Sequence, residues 1–226
     1  MKKVIIFGTG KIAQVAYYYF SRSKQIEVCG LTVDREYVQP VTWANLPVVD
    51  FETVVTKFHP DEYEIFVALG YQELNKLRTN RCLESKNKGY KLFSYIDPNA
   101  GVPDDFKYGE NCFVMTSQNI HPNVSIGNNV FVWSGSTIGH HSYVDDNCWL
   151  TSTSNIAGNV VIGRNCFLGM NSTVVDSIQI GHNCLLGASV LITKSLPDES
   201  VVIEKGTDIH RLTTSQFLKL SSRIGA

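Results

Sequence analysis

A six-residue period runs from Ile96 to Ile192 of this 226-residue chain and limits what it can fold into. Stepping by six from Ile96 gives Val102, Tyr108, Val114, Ile120, Ile126, Val132, Ile138, Val144, Leu150, Ile156, Ile162, Leu168, Val174, Ile180, Leu186 and Ile192. These are seventeen positions in one register, all aliphatic except one Tyr. Neither a helix (period 3.6) nor an ordinary strand (period 2) produces this spacing. A short fixed repeat means a solenoid whose units bury their apolar faces only by stacking. Six residues make one flat side of a parallel β-helix, and eighteen make one coil. The run predicts about five coils, roughly 25 Å tall at the inter-strand spacing of a sheet.

The positions flanking each aliphatic residue fit that reading. The residue two before it is mostly small, as at Ala100, Cys112, Ser136, Ser142, Cys148, Ser154, Cys166, Ser172 and Cys184, with Phe106, Gln118 and Ile178 as exceptions. Four of the six cysteines are therefore expected as small core residues, not as ligands or redox groups. Gly follows the sixth-position residue seven times, at positions 109, 127, 139, 163, 169, 181 and 187, and is expected to help the chain turn.

The first 95 residues read differently, as alternating strands and helices. Expected strands are Lys3–Phe7, Ile26–Val33, Pro47–Val49 and Glu64–Leu69, with helices over Lys11–Arg22 and Tyr71–Lys88, and Lys91–Tyr95 closing the unit. Such alternation implies a mostly parallel, Rossmann-like sheet. The fold class is thus α/β plus β-solenoid. Its expected parts are residues 1–95, a solenoid over 96–195, and a tail over 196–226 with a short helix at Thr214–Ser222.

Composition excludes several function classes. The chain has 20 Lys+Arg against 21 Asp+Glu, so no basic excess points to nucleic acid or an anionic membrane. No apolar run approaches the roughly 20 residues of a membrane span. The apolar stretch after Lys2-Lys3 is too short for a signal core and ends in a Gly turn. Six cysteines without framework spacing are expected as reduced thiols in the cytoplasm.

Two groups of residues carry chemistry. His140 and His141 follow Ile138-Gly139 at a solenoid corner, where side chains point outward. They are either an exposed polar pair or a general base able to deprotonate an attacking amine or hydroxyl. Gly8-Thr9-Gly10-Lys11 follows a strand, and Asp34 ends the next one, a partial dinucleotide fingerprint that is weak alone. Three consecutive tyrosines, Tyr17, Tyr18 and Tyr19, cannot all face one core, so at least one is expected at a domain or subunit contact.

The segments TIGHHSYV, SNIAGNVVIGRNCFLGMNSTVV and IQIGHNCLLGASVLITKSLP resemble the bacterial nucleotide-sugar acyltransferases of the hexapeptide-repeat family. These are the UDP-4-amino-sugar N-acetyltransferases and the sialic-acid O-acetyltransferases. The resemblance covers most of the chain and implies a left-handed β-helix, acetyl-CoA as co-substrate and a homotrimer with coenzyme A between neighbouring solenoids. It places the catalytic base at His140. His141 stands where the family usually has Glu or Asp, and Trp149 where it has a second His near the thioester. Gly158 matches a residue whose backbone N–H faces the thioester carbonyl. Gly169, Met170, Gly187 and Lys194 fall on coenzyme A contacts. The nucleotide-linked sugar is implied near Gly8, Thr9, Gly10 and Lys11 (diphosphate), Asp34 and Arg35 (base) and Gly70. The family's terminal G-x-P-A-K is replaced by VVIEKGTDIHR.

The implied activity is acetyl transfer to the amino group of a nucleotide-linked deoxyamino sugar for surface glycans. The alternatives are O-acetylation of a sialic acid, a zinc enzyme like the γ-type carbonic anhydrases, and a non-catalytic binding protein. A zinc site needs three converging histidines. His121 and His140 are nineteen residues apart, one off the coil period.

Overall fold

The period-six aliphatics point inward together, because only a closed three-sided coil buries a residue every sixth position. In the computed structural model, which describes residues 1–221, each coil from Phe113 to Ile180 contributes one two-residue strand to each of three parallel sheets. The first face stacks Asn119–Ile120, Thr137–Ile138, Asn155–Ile156, Thr173–Val174 and Leu191–Ile192. The second stacks Ser125–Ile126, Tyr143–Val144, Val161–Ile162 and Gln179–Ile180. The third runs from Tyr95–Ile96 through Phe113–Val114, Phe131–Val132, Trp149–Leu150, Phe167–Leu168 and Leu185–Leu186 to Val201–Val202. Within the repeat, partners are eighteen residues apart, as in Thr137↔Asn155 and Ile138↔Ile156. The aliphatic second residues fill one continuous core with Cys112, Cys148, Cys166 and Cys184.

The small inward residues also satisfy backbone. The thiols of Cys112, Cys148 and Cys166 donate to the carbonyls of Gly127, Gly163 and Gly181, fifteen residues on, at 3.1–3.2 Å. Ser136 and Ser142 do the same to Thr151 and Ala157. Cys and Ser suit this position because they are small and carry a donor. Burial pushes the Cys112 thiol up to about 11, which keeps it protonated.

The corners turn by a device that differs from the expected one. The left-handed residue lies three after the aliphatic, every six residues from Asn111 to Ser189, and is most often Asn. Asn tolerates that conformation because its short amide bonds locally. The Gly immediately after the aliphatic serves coil stacking: a Cβ on Gly139 would lie 2.5 Å from the Ala157 carbonyl carbon and the Gly158 nitrogen. Near the start the register also shifts. Tyr108 is 50% exposed, and Phe106 enters the core in its place.

The N-terminal sheet is parallel, in the order β3-β2-β1-β4, with β1 at Lys2–Phe7, β2 at Ile26–Val33, β3 at Val48–Asp50 and β4 at Glu64–Val67. Helix α1 covers Lys11–Phe20 and α2 covers Lys76–Asn87. The sequence places α2 five residues too early. Glu73, Leu74 and Asn75 adopt left-handed backbone instead, so Tyr71–Asn75 is a turn. Tyr95 does not close the N-terminal unit either: Tyr95–Ile96 pairs with Phe113–Val114 as the first rung of the third face.

The third face binds the two parts together. Its outward residues Phe113, Phe131 and Trp149 share a core with Val4, Ile6, Ala16, Phe20 and Phe66. Tyr19 meets Tyr95 and Phe113 at this contact, while Tyr17 packs on Trp43 and Tyr18 is exposed. Helix α3 spans Thr214–Ser221; Ser222, expected as its last residue, lies outside the described residues. Among the described residues no helix is long and apolar enough to cross a membrane.

Candidate functional site

The edge between the first and second faces carries Gly139, His140 and His141, because both neighbouring strands turn outward there. His141 occupies the left-handed corner position, with φ 60°. That fixed backbone brings its Nδ1 to 3.1 Å from Nδ1 of His140. One of the two nitrogens holds the proton and the other accepts it. When His140 is the donor, its Nε2 lone pair is free to take a proton from an incoming group. The His121 ring lies nearly parallel to that of His140 from the coil below, centroids 6.5 Å apart. Among the described residues no three His, Cys, Asp or Glu side chains are arranged to hold a metal ion.

Gly158 stands one coil above His140. A Cβ there would lie 2.7 Å from His140 Cε1 and 2.8 Å from Nε2, so only glycine leaves the imidazole its position. The Gly158 carbonyl accepts from Ser177, and no acceptor among the described residues takes the Gly158 N–H. A free backbone donor thus sits beside a basic nitrogen. Lys194 follows Gly158 in the same column, two coils higher, and is exposed. Gly169, Met170 and Gly187 lie on another edge, between the third and first faces, where Met170 is 54% exposed. Both edges border the first face.

The second site is a cleft of about 480 Å³ at the C-terminal ends of β1, β2 and β4. Gly8, Thr9, Gly10, Lys11, Asp34 and Gly70 line it together with Tyr37, Gln72, Leu77 and Arg81. Gly8 has φ 122°, and a Cβ on it would come 3.0 Å from the Ala68 carbonyl oxygen, so the turn needs glycine. Gly10 caps α1 without a side-chain bond, and no acidic residue lies in the first turn. The first N–H groups of α1 and Lys11 therefore face the cleft as an anion site. Arg35 is not part of it. It pairs with Asp50 at 2.9 Å and its side chain is 81% exposed.

Comparisons with known proteins agree with this layout. A family profile described as "Hexapeptide repeat of succinyl-transferase" matches residues 159–194. By sequence, no curated protein matches. Among solved structures, the chain is similar to PerB from Caulobacter crescentus, in complex with CoA and GDP-perosamine, at 25% identity and TM-score 0.79, covering 89% of this chain and 93% of PerB. It is also similar to the acetyltransferase domain of PglB from Neisseria gonorrhoeae, at 20% identity and TM-score 0.79, covering 89% and 96%. WeeI from Acinetobacter baumannii aligns at 14% identity and TM-score 0.67, covering 90% and 97%.

The chain has the fold of the hexapeptide-repeat nucleotide-sugar acyltransferases. That fold is a left-handed β-helix joined to a small parallel sheet.

Within this acyltransferase fold, Trp149 departs from its expected place. It is 2% exposed, packed against Phe131 and Trp133 and touched by Tyr71. It holds the two parts of the chain together on the face opposite the His140 edge, and its own buried ring offers a ligand no open surface.

Two arginines of α2 stand around the cleft without being candidate site residues from the sequence. Arg78 is fully buried beneath the cleft. Its Nε and Nη2 donate to the side chain and carbonyl of Asn129, at 2.7 and 3.1 Å, and its Nη1 donates to the Gly70 carbonyl at 3.0 Å. Its guanidinium stacks on Phe131 and Trp149. Burial pulls it down to about 10, so it stays charged at neutral pH. The signal in the sequence is its spacing of four from Cys82, which puts both on one face of α2. Arg81, in the cleft wall, left no comparable signal.

Proposed function

We propose that this chain transfers acetyl from acetyl-CoA to the amino group of a nucleotide-linked deoxyamino sugar, with His140 as general base. The observation that carries this is one chain presenting both an anion-binding cleft of nucleotide size and an outward imidazole beside an unpaired Gly158 N–H. PerB, bound to CoA and GDP-perosamine, has the same two parts and supports the pairing.

In the proposed step the sugar amine attacks the thioester carbonyl carbon while His140 Nε2 takes its proton. The C–N bond forms and the carbonyl oxygen gains negative charge. The carbonyl then re-forms as the C–S bond breaks, and the proton passes from His140 Nε2 to the departing sulfur, releasing coenzyme A as its thiol. The Gly158 N–H would donate to the developing oxyanion; one such donor contributes roughly 3 kcal/mol. His141 would hold the His140 ring through Nδ1, the place a carboxylate takes in the family. No acyl-enzyme is needed, since Cys112, Cys148, Cys166 and Cys184 all point into the solenoid core.

Lys194, Gly169, Met170 and Gly187, on the two edges of the first face, are the proposed contacts for coenzyme A. The proposed roles are nucleotide binding before the Tyr95–Ile96 rung, transfer from that rung to Val201–Val202, and a tail beyond, so the solenoid begins one residue earlier and ends later than the expected bounds of 96–195. The nucleotide cleft sits beyond the third face, whereas His140 lies on the edge opposite it. A single chain therefore keeps its two sites apart, which supports a homotrimer in which one protomer's cleft serves its neighbour's imidazole. Six free thiols and an acetyl-CoA substrate support a cytoplasmic location.

Mass spectrometry of products from acetyl-CoA and a panel of nucleotide-linked 3-amino and 4-amino sugars tests the reading. One member should gain a single N-acetyl group. Acetylation of free sialic acid, with no nucleotide sugar modified, would replace it with the O-acetyltransferase reading.

A further inference from the structure

Residues 71–75 are where local sequence and structure disagree most. Gln72, Glu73 and Leu74 are good helix formers, and no Gly or Pro lies between Tyr71 and Lys88. Yet Glu73, Leu74 and Asn75 stand at φ 50°, 50° and 70°, three consecutive non-glycine residues in the left-handed region. Such residues visit it singly, because Cβ there crowds the following carbonyl oxygen. The turn also leaves polar groups unpaired. Asn75 is fully buried, and neither its Oδ1 nor its Nδ2 has a partner among the described residues. It precedes α2 without capping it. The N–H groups of Leu77 and Arg78 find no acceptor among the described residues.

Winding the segment onto α2 would remove most of this conflict. Leu77 and Arg78 would donate to the carbonyls of Glu73 and Leu74, four residues back, and the left-handed residues would become right-handed. Contacts at the other end hold the turn instead. The Tyr71 ring packs on the third face, its centroid 4.6 Å from that of Phe167 and 5.3 Å from that of Trp149. The Gly70 carbonyl accepts from the buried Arg78. Gly70, Gln72 and Leu77 also line the cleft. A ligand oxygen there can reach the open first turn of α2, whose N–H groups call for an acceptor. Backbone strain of this kind persists only where other interactions offset it, and it gathers at functional segments.

We propose that Tyr71–Asn75 is a two-state segment, helical while the cleft is empty and drawn into the left-handed turn by a nucleotide sugar. The turn opens the first N–H groups of α2 to the ligand and seats Tyr71 on the third face. Part of the binding free energy goes into forming the turn, so the observed affinity is weaker than a preformed turn would give. The proposal rests on the nucleotide-sugar reading above and adds its conformational control.

Glu73 tests this, because its side chain is exposed and does not line the cleft. Glycine adopts positive φ freely and weakens a helix, so Glu73→Gly favours the turn. Glu73→Gln removes only the charge and serves as the reference. Calorimetry of the full chain uses UDP, GDP and dTDP as probes, beside thermal melts without nucleotide. Relative to Glu73→Gln, Glu73→Gly should bind the preferred nucleotide about 5–30-fold more tightly, the span of one left-handed residue, while the free chain melts no higher. Glu73→Asn should lie between them. Nucleotide should also lower the far-UV helical signal of the wild type and leave that of Glu73→Gly nearly unchanged. A turn present in both states gives a different pattern: Glu73→Gly melts higher, and its affinity equals that of Glu73→Gln. That result overturns the proposal and leaves the nucleotide-sugar reading standing. Failure of every probe to bind overturns that reading, and this proposal with it.

Discussion

The solenoid and the N-terminal sheet hold together by different means. In the solenoid almost every partner lies one coil away: strands pair eighteen residues apart, and inward thiols and hydroxyls reach carbonyls fifteen residues on. It carries its own core, coil on coil. The N-terminal sheet does so on one side only, around Ile5, Phe7, Phe51, Phe58 and Val67. One of its faces, with Val4, Ile6 and Phe66, is completed by Phe113, Phe131 and Trp149 of the solenoid. Arg78 then ties the Gly70 carbonyl to Asn129 across the same contact. The nucleotide cleft therefore rests on the third face, while the His140 edge depends only on its own coils. Damage to one should be separable from damage to the other.

The largest expected separation is at His140. His140→Ala should lower kcat by about 10²–10⁴ with little change in either KM, since a general base acts on the transition state. The side chain is exposed, so the melting temperature should hold. Steady-state kinetics with a thermal melt checks both.

Trp149→Ala should do the reverse. Removing a buried indole costs about 3–5 kcal/mol of stability. The loss should appear first as weakened nucleotide binding, while far-UV circular dichroism from the solenoid persists to higher urea. Trp149→His should also destabilise, because a smaller, polar ring would stand between Phe131 and Arg78. Simultaneous loss of both signals at low urea would show that the two parts unfold as one.

Asp34→Ala should raise the nucleotide-sugar KM about 10–100-fold while leaving acetyl-CoA binding intact, because the two ligands enter from different parts of the chain. Titration with each ligand separately tests this. The smallest effect is expected at a corner. Asn165, with φ 59°, donates to Asn183 at 2.9 Å. Asn165→Ala should cost about 1–2 kcal/mol in urea denaturation, and Asn165→Gly less, since only glycine and asparagine visit this conformation readily.

The same contrast explains what the sequence revealed. The solenoid was legible because one inward residue per six leaves a period no other structure makes. The corners were less legible: the repeated glycines crowd the next coil, while the left-handed residues two positions later, most often asparagines, make the turn. The cleft was legible in part: Gly8, Gly10 and Asp34 sit at strand ends where a phosphate-binding turn requires them. Arg81 was not, because its neighbours Asp34 and Phe51 are distant in sequence and no period connects them. Trp149 was misplaced for a related reason. Its position in the repeat gives its face, but only the tertiary packing shows that the face is covered.

The opposition of the cleft and the His140 edge has a consequence for mixtures of chains. A chain damaged at Asp34 retains its imidazole, and a chain damaged at His140 retains its cleft. If neighbours share a centre, two impaired proteins refolded together would form some junctions with one intact half from each. Activity in the mixture would exceed that of either component, as it does when two defective alleles complement. The amount recovered would count the junctions of that kind, and so measure how the chains alternate around the ring.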